Sequence, residues 1–137
     1  MNLSRLFNSA GLIGAVLGLA SLPIHLLISH EQSVQLAGVV IAVIGAIYVG
    51  FALQLGSIRQ ISVEIGAACL FLGAALIGIW GNPWVIPVAY AAHGMWDFAH
   101  HEHSKFTKIP HWYPPFCAVV DWVIATGLTA IWMIRPV

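Results

Sequence analysis

Five of the seven histidines in this 137-residue chain fall between His93 and His111, and carboxylates are interleaved with them. The densest stretch runs His93-Gly94-Met95-Trp96-Asp97-Phe98-Ala99-His100-His101-Glu102-His103. On a helix, positions i, i+4 and i+7 share a face, so His93, Asp97 and His100 form one polar stripe. Imidazole and carboxylate together make the inner shell of catalytic zinc and of non-haem iron, and mixed sets can hold two ions. A carboxylate that does not touch the metal can orient a ligating histidine instead.

Asp121 and Glu64 belong to the same constellation by depth. Asp121 follows Pro115 by about as many residues as His93 and Asp97 precede His101. Antiparallel helices joined by the intervening loop would therefore bring all three to one level. Glu64 enters from the same end. The expected metal ligands are His93, Asp97, His100 and Asp121, with His101, His103 and His111 as further donors. In a hydrolytic version, Asp121 or Glu64 serves as general base. Cys69 and Cys117 form no CxxC pair and read as small apolar packers. Two other readings use the same residues: a structural network, with Asp97 paired to His93 or His100 and Asp121 to Lys105 or Lys108, and a proton pathway. His25 and His30 belong to the opposite end.

These groups must be positioned inside a membrane. The chain is 60% hydrophobic and 7% charged, against roughly 25% charged in a soluble domain. Five basic and five acidic residues cancel, so no basic field for nucleic acid exists. No charged side chain lies between Arg5 and Glu31, Glu31 and Arg59, or Glu64 and Asp97. Each gap is long enough for the ~20 helical residues that cross a bilayer. The apolar runs lack the alternation of barrel strands, which leaves helices as the only spanning structure.

The expected architecture is all-α: a polytopic transmembrane helix bundle of about five spans, forming one domain over residues 1–137. The spans are 9–28, 34–55, 62–80, 84–100 and 116–134, with a His-rich loop at 101–115. Asn82-Pro83 marks a tight turn. The first apolar run continues past the length of a typical signal-peptide core and reads as a retained span. Arg5, Arg59, Lys105 and Lys108 on one side oppose Arg135 on the other, which predicts a cytoplasmic N-terminus and a cytoplasmic His-rich loop.

Small residues recur at four-residue spacing: Ala10, Gly14 and Gly18, then Ala42, Ala46 and Gly50. Such stripes permit close helix approach, either within the bundle or at a homo-oligomer face. Trp80, Trp84, Trp112, Tyr113 and Trp132 lie near span ends, as interfacial aromatics do. Trp96 and Trp122 lie beside site residues, either packing in the core or walling a lipid-facing pocket.

With His93 to His103, Trp112-Tyr113-Pro114-Pro115-Phe116-Cys117 and Asp121, the chain resembles small bacterial integral membrane proteins that bring no established activity. The His100-His101-Glu102-His103 cluster is also loosely similar to the histidine-box membrane oxygenases and desaturases. That likeness implies irons held at the cytoplasmic ends of helices and used to activate oxygen. The chain departs from those enzymes in lacking HxxxH and HxxHH, so Asp97 and Asp121 would replace histidine ligands. The resulting expectation is a bacterial inner-membrane protein that binds a divalent metal, iron or zinc, and acts on a lipid or apolar small molecule. An oxidoreductase is favoured over a zinc hydrolase. A non-catalytic metal or proton carrier, or an accessory subunit, is the remaining alternative. Ionisable groups gather on one side rather than along a path, which favours a site.

Overall fold

The computed structural model describes the backbone of residues 3–102 and 106–135, and their side chains except those of residues 3–8 and 102. It contains five α-helices: α1 (Leu3–Leu27), α2 (His30–Leu55), α3 (Ile58–Trp80), α4 (Val85–Glu102) and α5 (Tyr113–Ile134). Four of them, α1, α2, α3 and α5, are long and apolar enough to cross a membrane. The 18-residue α4 carries His93, Asp97, His100 and His101 among its apolar residues.

Helices α1, α2, α3 and α5 begin earlier than hydropathy alone suggests, and at α2 and α3 capping chemistry rather than apolarity decides the start. Ser29 and Gln32 form a reciprocal capping box at α2: the Gln32 amide donates to Ser29 Oγ (3.2 Å) and the Ser29 amide to Gln32 Oε1 (3.0 Å). Ser57 and Gln60 repeat the device at α3. Each satisfies amides that the first helical turn leaves without partners. At α5, Pro114 and Pro115 occupy the first turn, where a missing N–H costs nothing, so the helix starts at Tyr113 instead of after the prolines. The α3–α4 turn is held by the Trp84 amide donating to Asn82 Oδ1 (3.1 Å).

Helix α4 packs most extensively on α5 and also touches α3 and α2, which places the polar stripe at the centre of the bundle. α2 lies along α3, and α1 lies along the outer side of α5. Ile41, Ile86, Tyr90, Leu128 and Trp132 fill the core. Leu12, Val16, Leu70 and Val88 are each more than half exposed, so the outer surface is the hydrocarbon surface that a bilayer covers.

The far end is tied by Ser33. Its hydroxyl accepts from Trp132 Nε1 (2.8 Å) and lies 2.8 Å from His25 Nδ1, joining α1, α2 and α5. Trp132 is therefore a buried core residue, 2% exposed, rather than an interfacial one. Arg135 donates to the Leu26 carbonyl at 2.6 Å.

The α1 stripe of small residues faces α5. A Cβ on Gly14 would stand 2.5 Å from the Phe116 carbonyl oxygen, and one on Gly18 would stand 2.9 Å from Val123 Cγ1. On α2, a Cβ at Gly50 meets nothing within 4 Å. Gly14→Ala is thus expected to separate α1 from α5 and destabilise the bundle by about 1–3 kcal/mol. Gly50→Ala should be neutral or stabilising by up to about 1 kcal/mol through helix propensity. Thermal unfolding of the two variants in one detergent distinguishes them; equal shifts would contradict the packing described.

Candidate metal centre

The stripe on α4 does not stay together: it divides between two centres. His93 and Asp97 turn toward α5. His93 Nδ1 is 2.6 Å from Asp121 Oδ2 and 3.4 Å from Asp97 Oδ2. Tyr48, from the middle of α2, donates its hydroxyl to Asp97 Oδ1 at 2.5 Å. All three ionisable side chains have no solvent exposure. Cys117, one turn before Asp121 on α5, completes the group. One donor atom each from His93, Asp97, Cys117 and Asp121 lies within 4.8 Å of every other.

The polar inventory of this centre is incomplete. Among the described residues, Asp97 Oδ2, Asp121 Oδ1 and His93 Nε2 are buried with no hydrogen-bond partner. Two carboxylates face a single imidazole, so even an imidazolium leaves one negative charge uncompensated. A buried, unpaired charge costs several kcal/mol, which a bound cation or an additional proton must offset. Donor atoms around an ion bonded at 2.0–2.3 Å sit about 3–4 Å apart. Small side-chain rotations would therefore close this group around a metal.

His100 belongs to a second centre. Its Nε2 is 2.8 Å from Glu64 Oε1 on α3, and Thr107 Oγ1 donates to the same oxygen at 2.8 Å. His100 Nδ1 lies 2.9 Å from the Trp96 carbonyl, which can only accept, so Nδ1 carries the hydrogen. A second hydrogen must then lie between Nε2 and Glu64. The pair holds one proton in either form, as imidazolium with carboxylate or as imidazole with carboxylic acid. Glu64 Oε2 is buried without a partner among the described residues. The Gln60 side chain donates to the Phe106 carbonyl at 2.8 Å, so α3 grips both Phe106 and Thr107.

The two centres meet at Tyr48. Its ring lies 4.4 Å from the His100 ring and 6.1 Å from the His93 ring, centroid to centroid. Tyr113 stacks edge-on against Tyr48 at 5.9 Å and closes this side.

Of the residues expected to form the site, His93, Asp97 and Asp121 come together, and His100 joins Glu64 instead. His101 is half-buried at the end of α4 and His111 is exposed in the turn before α5. His103 lies outside the described residues. Cys117, Tyr48 and Thr107 were not expected. For Cys117 a signal was present: it precedes Asp121 by one helical turn on the same face.

The chain is thus an all-helical bundle with membrane-spanning helices and a buried His/Asp/Cys cluster at its centre. Residues 10–134 match the family of unknown function DUF6010, and the chain belongs to that family. No curated protein and no solved structure matches it.

Proposed function

We propose that this protein is an integral membrane metalloenzyme holding one divalent cation, iron or zinc, between α4 and α5. His93, Asp97 and Asp121 supply the ligands, and Cys117 Sγ completes the set. The reading rests on one observation: two fully buried carboxylates share a single imidazole, and among the described residues Asp121 Oδ1 has no hydrogen-bond partner while Asp97 Oδ2 has only the 3.4 Å contact to His93 Nδ1. The donor chemistry supports the metals named, because thiolate and imidazole suit zinc and iron better than magnesium or calcium.

Bound there, the metal would activate oxygen if iron, or polarise a carbonyl or phosphoryl group and ionise a water if zinc. The chain's own residues prepare that chemistry. Tyr48 fixes the Asp97 carboxylate, and the Glu64–His100 pair stores a proton next to Tyr48. The apolar surroundings imply a lipid or another apolar molecule as substrate. An oxidoreductase fits an iron centre; the zinc-hydrolase reading is favoured by the thiol and by Glu64 as a nearby base. Charge asymmetry supports a bacterial inner-membrane orientation with the His-rich end cytoplasmic.

Elemental analysis of detergent-purified protein tests the proposal. About one equivalent of iron or zinc is expected, falling to background in His93→Ala. The element bound selects between oxidation and hydrolysis. Protein that stays metal-free after purification without chelator, and after incubation with either metal, would overturn the reading.

A further inference from the structure

A cleft of about 640 Å³ runs between α3 and α4, bounded by Gly66, Ala67, Leu70, Phe71, Val88 and Trp96 among other apolar residues. We infer that this cleft binds one acyl chain of a membrane lipid and presents it to the His93 centre past Phe71, an inference that rests on the metal-centre reading. The first support is the lining, which offers no charged side chain and suits hydrocarbon alone. The second is its direction and length. Its lining on α3 extends from Val63 to Ala74. At 1.5 Å per residue that is about 16 Å along the helix axis, close to one leaflet of a ~30 Å hydrocarbon core. A lipid chain parallel to the helices would fill it end to end. Leu70 and Val88, 76% and 67% exposed, flank an opening that faces the bilayer.

The third support is what lies at the floor. The Phe71 ring packs edge-on against the His93 imidazole, with centroids 4.7 Å apart, so a single side chain separates the cleft from the centre. Trp96, also in the lining, packs against His100 at 4.9 Å. The cleft beside Thr126 and Thr129 differs: it lies between α4 and α5 and is lined by none of the site residues.

The test uses the full chain in phospholipid vesicles containing a phospholipid with a diazirine midway along one acyl chain. Crosslinked residues are located by mass spectrometry, and metal content is measured on the same sample. Labelling should concentrate at Leu70, Phe71 and Val88 over Leu12 and Val16 of α1, which are also strongly exposed. Gly66→Phe should lower the cleft labelling about tenfold, the effect of losing roughly two buried methylenes. A Cβ at Gly66 meets nothing within 4 Å, so the new side chain enters the cleft without moving the backbone. Phe71→Ala should extend the labelling to His93. Equal labelling of α1 and the cleft, indifference to Gly66→Phe, or stronger cleft labelling by a branched polyprenol probe would overturn the inference. Loss of selectivity on metal-loaded protein rejects the acyl-chain site alone. Selective labelling of protein that takes up no metal rejects the metal centre and leaves the cleft.

Discussion

Asp121→Asn is expected to change the sign of its effect on stability with metal supply. In metal-free protein the substitution removes one of two buried carboxylates that share His93, while Asn Oδ1 can still accept from His93 Nδ1. Relief of an uncompensated charge should make the variant as stable as the wild type or more stable. With metal in excess the wild type gains linkage stabilisation that the variant cannot, about 2.7–4.1 kcal/mol at 100–1,000 times the dissociation constant. Thermal unfolding of both proteins with chelator and with iron or zinc measures this. A purely structural network gives a different pattern: destabilisation of similar size in both conditions, because a buried charged hydrogen bond is weakened either way.

The second large effect is expected at Glu64. It accepts from Thr107 and is bonded to His100, linking α3, α4 and the segment before α5. Glu64→Ala leaves His100 Nε2 and the Thr107 hydroxyl without their shared partner at sites 8% exposed or less, and should destabilise by about 2–5 kcal/mol. Glu64→Gln can place its amide NH2 where Oε1 now meets both partners, donating to His100 Nε2 and to the Thr107 hydroxyl, which then accepts, and should cost about 1 kcal/mol. Neither variant should change metal stoichiometry in the folded fraction, since Glu64 lies outside the His93 group. Equal destabilisation by the two variants would mean that the His100–Glu64 contact carries no proton. Metal loss in Glu64→Gln would make Glu64 part of the metal centre.

Position along a helix was legible in the sequence, whereas the partner helix that each side chain reaches was not. Charge-free gaps and the i, i+4, i+7 spacing reveal the helices and the polar face of α4. Equal depth on either side of the 101–115 loop correctly brings Asp121 to His93. A shared face does not mean a shared ion, however. His93 and His100 are separated by about 10 Å along the helix axis, so one reaches α5 and the other reaches α3. Helix starts were displaced for a related reason. Apolarity reports what sits in lipid, whereas Ser29 with Gln32 and Ser57 with Gln60 report where a backbone first needs caps.

Cys117 and Tyr48 were hidden differently. A cysteine on an apolar helix is most often a packing residue, and only the partner helix shows that its sulfur lies within 4.8 Å of donor atoms on two aspartates. Tyr48 lies far from every histidine in sequence; only the packing of α2 against α4 delivers its hydroxyl to Asp97. The small-residue stripes were legible as close-approach surfaces but not as to which surface they approach. Gly14 and Gly18 meet α5, and the exposed Gly50 meets no described side chain within reach of a Cβ.

X-ray absorption at the edge of the bound metal tests the ligand set most directly. One sulfur at about 2.3 Å is expected, with nitrogen and oxygen donors near 2.0–2.2 Å. The sulfur contribution should vanish in Cys117→Ser, and the whole ordered shell should vanish in His93→Ala. A shell of nitrogen and oxygen alone, unchanged in both variants, would contradict that ligand set.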